Sequence, residues 1–286
     1  MSHSTIIETS PSGWLQVESV TIIGVRADIT EATVLRITMK RPDTRNAFNE
    51  VMIAELTDIF HRFSQQAGLR AIILAASGPV FCAGGDLDWM KRSAKFSPTE
   101  NVQDAKALAR MLQAIHDCPL PVIARVQGSA FGGGVGIVAA SDIALATEQA
   151  VFCLSEVKLG LVPAIISPYV IQKIGFSAAQ RYALTAEPFS AEIAHRLGLI
   201  HEIIDNEILL DMHIEGILRH LLSNAPNAMT ASKRLFQHLS RLDWAAVTEH
   251  TCDIIAERRA SPEGQEGIHA FLEKRPPSWK AMEIPR

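Results

Sequence analysis

Twice in this chain a short aliphatic run ends in a cluster of glycines, and this pattern limits the possible folds more than any other. Ala71-Ile-Ile-Leu-Ala-Ala76 passes through the turn Ser77-Gly-Pro79 into Phe81-Cys-Ala-Gly-Gly-Asp86. Pro121–Val126 passes into Gly128-Ser-Ala-Phe-Gly-Gly-Gly-Val-Gly136. Short runs without polar alternation are what strands buried on both faces look like. Each is followed by a tight turn and a helical pattern. The first N–H groups of a helix have no internal acceptor and sit at the positive end of its dipole. Glycine lets a ligand approach them closely. Two such turns facing each other make a two-donor site for a developing oxyanion. The same residues also suit two tight turns packed on neighbouring helices, and composition leaves both readings open.

The rest of the chain gives the frame. Val17–Val25 and Thr33–Met39 read as strands, with Arg41-Pro42-Asp43 as the closing turn. Glu50–Gln65 carries a helical apolar stripe at Met52, Ile53, Leu56, Ile59, Phe60 and Phe63. Thr99–Asp117 reads as a helix stopped by Cys118-Pro-Leu-Pro121. Ile143–Ala146 and Val151–Leu154 are further strands. From Ser167 on, helical patterns dominate, at Pro168–Ile174, Ala178–Thr185, Ala191–Leu197, Leu209–Ser223 and Asn227–Leu239. Strands alternating with helices, then helices alone, predict an α/β core with a helical C-terminal part. Residues 1–15, rich in Ser and Thr, are expected to form a flexible arm.

Composition excludes several functions. The 286 residues carry 27 Lys plus Arg against 31 Asp plus Glu, a net charge of −4, which offers no basic footprint for nucleic acid or an acidic membrane. No apolar run approaches the ~18 residues of a membrane span. Met1–Gly13 lacks a basic flank ahead of an apolar run, which argues against a secretory leader. Cys82, Cys118, Cys153 and Cys252 contain no C-x-x-C pair, so each is expected to be a small buried hydrophobe in a reducing compartment. A cytoplasmic location is expected.

Familiar chemical motifs fit poorly. A phosphate loop needs Lys-Ser or Lys-Thr after its last glycine, and Gly133 is followed by Gly134 and Val135. Gly134-Val-Gly136-Ile-Val-Ala139 matches a dinucleotide fingerprint formally, but it lies too far beyond Val126 for a strand-to-helix turn. A nucleophile elbow is absent, because Ser129 adjoins Gly128 directly. The histidines form no H-E-x-x-H or comparable cluster; His61, His116, His195 and His201 are expected on solvated helix faces or at caps. Asp86 reads as the N-cap of a helix beginning Leu87-Asp-Trp-Met90. Glu156, in Phe152-Cys-Leu-Ser-Glu-Val-Lys-Leu-Gly160, is a carboxylate among apolar residues at a strand end. Burial would raise its pKa toward a useful acid/base value, whereas an ion pair with Lys158 would make it structural.

Four separated segments resemble the crotonase (enoyl-CoA hydratase/isomerase) superfamily: Arg41-Pro42…Asn46-Ala47-Phe48, Phe81–Leu87, Gly128–Gly134 and Ser155-Glu156…Leu159-Gly160-Leu-Val-Pro163. They occur in family order from about Thr21 to Trp279. Phe152–Pro163, Ile166-Ser-Pro-Tyr169, Arg181–Glu187 and Pro262–Arg275 look most like bacterial methylglutaconyl-CoA hydratases of leucine and isovalerate breakdown. The resemblance implies a spiral of ββα units over residues 16–207, with a helical part over 208–286 that packs trimers, often paired into hexamers. It also implies an acyl-CoA substrate, with coenzyme A as part of that substrate and no metal or separate cofactor. Carried over by motif, the N–H groups of Gly85 and Gly133 would hold the thioester oxygen, and Glu156 would be the acid/base. Ala47, Ala83, Asp86, Leu87 and Asp88 would line the coenzyme's path. Arg45 would meet its phosphates, and Phe271 with Lys274 would reach a neighbouring subunit's coenzyme.

One departure matters. Enoyl-CoA hydratases typically carry two catalytic glutamates, and the position of the first is Gly136 here. The expected reaction is therefore syn hydration of 3-methylglutaconyl-CoA to 3-hydroxy-3-methylglutaryl-CoA with a single carboxyl as relay. Alternatives are a related branched ester such as isohexenylglutaconyl-CoA, a double-bond isomerase, or a non-catalytic acyl-CoA-binding module. Lys91, Arg92 and Lys158 are the cations nearest the motifs, and each reads as surface charge.

Overall fold

The computed structural model describes residues 3–21, 33–239 and 244–279. Strands β1 (His3–Thr9), β2 (Leu15–Thr21) and β3 (Thr33–Met39) precede helix α1 (Glu50–Phe63). Next come β4 (Leu69–Ala76), β5 (Val80–Cys82), α2 (Leu87–Ser93) and α3 (Pro98–His116). A second unit is β6 (Val122–Val126), β7 (Ser129–Phe131) and α4 (Gly133–Ala140). A third is β8 (Ile143–Thr147), β9 (Val151–Cys153) and α5 (Ser167–Thr185). The chain continues through β10 (Phe189–Ser190), α6 (Ala191–Leu197), β11 (Glu202–Ile204) and α7 (Glu207–Ser223). It ends in α8 (Pro226–Leu239), α9 (Trp244–Ala260) and α10 (Pro262–Leu272).

Each ββα unit gives one strand to a seven-stranded sheet, ordered β1-β2-β3-β4-β6-β8-β11, and one to a four-stranded sheet, ordered β10-β9-β7-β5. From β3 onward the large sheet is parallel. This is the expected α/β spiral. Strand periodicity explains its layers, because successive side chains point to opposite faces. On β4, Ile72, Leu74 and Ala76 enter the main core with α1, α3, α4 and α5, while Ala71, Ile73 and Ala75 enter a second one. That second face is covered by Leu210, Ile214, Leu218 and Leu222, spaced four apart along α7. A boundary at residue 208 is therefore corrected: α7 belongs to the core, and the separate helical group starts at α8.

Two other expectations change. The expected loose arm over residues 1–15 gives way, among its described residues, to β1 at His3–Thr9, which pairs antiparallel with β2. The polar residues of β1 suit an edge strand, which is solvated on one side. Pro168–Ile174 and Ala178–Thr185 are helical as expected, two stretches that meet within α5 at a kink where Gly175 has a non-helical φ of 74°. Cys252 is exposed, unlike the three buried cysteines. The part of Val17–Val25 beyond Thr21 lies outside the described residues. Among those residues no helix is long and apolar enough to cross a membrane.

Candidate active site

The four-stranded sheet gathers the chemistry. Strands β5, β7 and β9 are neighbours and run parallel. Their C-terminal ends therefore open on one edge, and each continues into one of the turns singled out in the sequence. After β5 comes Ala83-Gly84-Gly85-Asp86, after β7 comes Gly132-Gly133, and after β9 comes Leu154-Ser155-Glu156. The Gly132 N–H donates to the Cys153 carbonyl at 2.8 Å, tying the second turn to the third.

Close packing requires these glycines. A Cβ on Gly84 would lie 2.9 Å from the Phe131 carbonyl oxygen and 3.7 Å from the Gly133 nitrogen, so the first two turns lie against each other. A Cβ on Gly134 would lie 2.5 Å from the Cys82 carbonyl oxygen. Gly84, Gly132 and Gly134 are buried, whereas Gly85 and Gly133 remain half-buried and approachable. Among the described residues neither the Gly85 nor the Gly133 N–H has an acceptor. For Gly133 this follows from its place at the first position of α4.

Phe48 joins the two turns. Its N–H donates to the Gly84 carbonyl and its carbonyl accepts from the Asp86 N–H, both at 2.9 Å. Its ring lies where a Gly133 side chain would begin, 2.3 Å from that Cβ position. Trp89 and Met90 close over Gly85, at 3.3 and 2.9 Å from its Cβ position, and the Trp89 Nε1–H donates to Asp104 at 3.1 Å. Upstream, Asn46 adopts a left-handed φ of 53° and is fully buried. Its side chain accepts from the Arg41 N–H and donates to the Ser77 and Val80 carbonyls. Asn suits both tasks, because it tolerates that backbone region and carries a donor and an acceptor. None of Phe48, Trp89 or Met90 stood out as a site residue in the sequence, since an apolar residue in a motif looks the same whether it packs or lines a site.

Glu156 opens a short 3-10 turn that ends at Gly160, where φ is 72°. One carboxylate oxygen, Oε1, lies 3.1 Å from the Cβ position of Gly132, the residue before Gly133. The other, Oε2, is buried and has no hydrogen-bond partner among the described residues. Burial raises its pKa, opposed by its own backbone N–H. Lys158 makes no ion pair with it among the described residues. Among the described residues the Glu156 side chain makes no bond to another residue.

The other expected residues separate. Ala47 is buried beneath the first turn, and the exposed Arg45 has a left-handed φ of 54° and accepts the Ala83 N–H on its carbonyl. Asp86 does cap α2: one oxygen accepts from the Asp88 and Trp89 N–H groups, the other from Arg41 at 2.9 Å. Burial pushes its carboxyl up, but the Trp89 N–H and Arg41 outweigh this and hold it below its ordinary value. Its side chain is therefore committed to structure. Leu87 and Asp88 are exposed, the latter paired with Lys91, and Arg92 pairs with Glu50. Ala83 is half-buried at the start of the first turn. Phe271 and Lys274 lie in or just after α10, which packs on α8 and α9. The formal dinucleotide match dissolves, because Gly134–Ala139 lies inside α4. His201 and His116 are not simply solvated: the Ala144 N–H donates to His201 Nδ1, and His116 packs edge-on against Tyr169. Among the described residues no group of His, Cys, Asp and Glu is arranged to hold a metal ion.

Known proteins are similar to this chain in sequence and fold. The enoyl-CoA hydratase/isomerase family pattern matches residues 29–282. The crystal structure of an enoyl-CoA hydratase from Shewanella pealeana is 43% identical, with a TM-score of 0.84 over 90% of this chain and 96% of that one. A probable enoyl-CoA hydratase of Rhodobacter capsulatus is 35% identical over 254 residues, 88% of this chain and 96% of its own length. A 1,2-epoxyphenylacetyl-CoA isomerase of Escherichia coli is 30% identical over 257 residues, 87% of this chain and 95% of its own. With a match through nearly its whole length and a fold in which the glycine and glutamate turns open together, this chain belongs to the enoyl-CoA hydratase/isomerase family.

Proposed function

We propose that this enzyme adds water to the double bond of 3-methylglutaconyl-CoA, giving 3-hydroxy-3-methylglutaryl-CoA. The observation that carries the reading is the half-buried Glu156, whose carboxylate has an unpartnered buried oxygen and lies against Gly132, next in sequence to the unbonded Gly133 N–H. The thioester oxygen accepts from Gly85 and Gly133. Ionised Glu156 takes a proton from a water as the water oxygen bonds to C3. The C2=C3 pair moves toward C1, and its charge rests on the thioester oxygen between the two donors. Protonated Glu156 then returns its proton to C2, so one water adds across one face and the carboxylate is regenerated.

The coenzyme runs along Ala83, Leu87 and Asp88 past Ala47. On this reading Arg45 meets its phosphates, and Phe271 and Lys274 serve the site of a neighbouring subunit in a trimer or hexamer. A second reading, double-bond isomerisation, is favoured by the absence of a carboxylate at Gly136, since one glutamate suffices to shuttle a proton between carbons. The test is a mass-resolved product assay with 3-methylglutaconyl-CoA, crotonyl-CoA and a 3-enoyl-CoA supplied separately. Gain of one water, strongest on the branched dicarboxylate, is the expected result. A rearranged product of unchanged mass means the isomerase, and no reaction with any ester removes the catalytic reading.

A further inference from the structure

A cavity of about 710 Å³ lies at the end of α4 remote from the Gly133 turn. Volumes of that size take a small organic molecule. Ala139, Ala140 and Ser141 line it from the end of α4, and Leu221, Ala228 and Met229 line it from α7 and α8. Helix α8 is tied to the core beside this space by polar contacts. The Thr230 hydroxyl donates to the Pro119 carbonyl at 2.9 Å, and the Gln237 amide donates to the His116 carbonyl at 2.8 Å. Three charged side chains converge on the same wall. Lys233 Nζ donates to Asp142 Oδ2 at 2.7 Å, and that oxygen also accepts the Val122 N–H at 2.8 Å. Lys173 Nζ donates to the Asp142 backbone carbonyl at 3.1 Å and, among the described residues, pairs with no carboxylate. The Lys233 side chain is only 10% exposed, and Lys173 is half-buried. Two cations therefore share one carboxylate beside a largely hydrocarbon space. The end of α4 supplies a partial charge of about −0.5, which offsets the excess only in part. Burial lowers the Lys173 pKa; Asp142 opposes this and Lys233 adds to it.

We infer that this cavity is a second binding site, for a small organic monocarboxylate with a short hydrocarbon chain. The carboxylate pairs with Lys173, and the chain lies against Ala139, Ala140 and Met229. A charge withdrawn from water needs a partner, and the partner lacking here is a single negative charge. Hydrocarbon on the ligand gains by covering the apolar wall. An alcohol of the same length covers that wall equally but leaves the cation unpaired. The inference stands apart from the proposed hydration, because none of Gly85, Gly133 and Glu156 lines this space. Gly133 and Ala140, the first and last residues of α4, are about 10 Å apart along its axis.

The test is calorimetric titration of the full chain with acetate, butyrate, hexanoate and 1-hexanol. Affinity should rise about fourfold for each methylene buried on going from acetate to hexanoate. Hexanoate should bind at least about tenfold more tightly than 1-hexanol, because only the acid makes a charge-assisted pair. Lys173→Met should weaken hexanoate by about the same factor, and Lys173→Arg, which keeps the charge, should retain most of the affinity. Ser232→Trp adds bulk to the α8 wall and leaves Lys173 in place, so it should weaken hexanoate more than acetate. Hexanoate binding should persist under saturating butyryl-CoA, a saturated ester with no double bond to hydrate. Its loss there would put the acid in the candidate active site and overturn the inference. No binding of hexanoate, equal affinity for 1-hexanol, or undiminished binding by Lys173→Met would overturn it as well. If Lys173→Met does not fold, Ser232→Trp and the comparison of acid with alcohol in the parent decide the matter, and hexanoate binding unaffected by Ser232→Trp then overturns it.

Discussion

In the proposed mechanism Glu156 trades stability for chemistry. Burial raises its pKa because an ionised carboxylate is poorly solvated there, and no cation compensates it. A group whose folded pKa is raised contributes stability below its unfolded value near 4.5, and that contribution is lost as pH rises through the folded value. At pH 7–8 the ionised carboxylate is therefore a burden on the fold. Glu156→Gln should raise Tm relative to the parent at pH 7–8, with the difference shrinking toward pH 4. The same substitution should cut kcat by about 10²–10⁴ and leave binding of the CoA ester largely intact. Thermal melting over pH, with steady-state kinetics, checks both halves. A Tm difference that stays constant with pH would mean that the carboxylate carries no burial penalty, and unchanged turnover would remove it from the mechanism.

Secondary-structure elements are held in register by a few polar ties at the limits of apolar faces. On β6, Ile123 belongs to the α7-facing core, and Arg125 follows two residues later on that face. The Arg125 guanidinium is almost fully buried yet bonded to Asp211 at 2.7 Å and Glu207 at 3.2 Å on α7, so helix and sheet meet at one position. A comparable tie joins β8 to the start of β11. The His201 N–H donates to the Ala144 carbonyl at 2.7 Å, and His201 Nδ1 accepts from the Ala144 N–H at 3.0 Å. Accepting requires the Nδ1 lone pair. Burial lowers the His201 pKa from 6.5, and nearby Lys173 adds to this. A folded pKa below the unfolded one gives stability that is present above pH 6.5 and lost as pH falls through the folded value. His201→Asn keeps an acceptor oxygen without the titration. It should therefore lose less Tm than the parent between pH 7.5 and pH 5, and matching acid slopes for the two proteins would contradict this account.

The surface left by a single copy of the chain is unusually apolar in the region of its later helices. Phe176 and Leu184 on α5, Phe236 on α8 and Phe271 with Leu272 on α10 are each at least two-thirds exposed. Monomeric proteins seldom leave large contiguous apolar patches in water. On the proposed arrangement these side chains meet neighbouring copies, which would also bring Phe271 and Lys274 toward a second subunit's coenzyme. Light scattering on the purified full chain should then give three or six times 31.2 kDa. A mass of one chain across the working concentration range would refute the trimer and the shared site together.

What local residue patterns carry is local: the strand at Thr33–Met39, the helix at Ala191–Leu197, the Asp86 cap and both glycine turns are legible because propensity, periodicity and capping act over a few residues. The family resemblance added the expected acid/base role of Glu156 and drew attention to Gly136. Tertiary structure decided the rest. The placing of α7 on the second face of the sheet depends on partners far along the chain, in β4, β6 and β8. No sequence pattern shows that Phe48 wedges between two turns or that Ile166 occupies the space beside Gly136, because an apolar residue carries no mark of which surface it will meet. Those contacts arise only when parallel β5, β7 and β9 bring three distant turns to one edge, where the room left by each missing Cβ is filled by a residue from elsewhere in the chain.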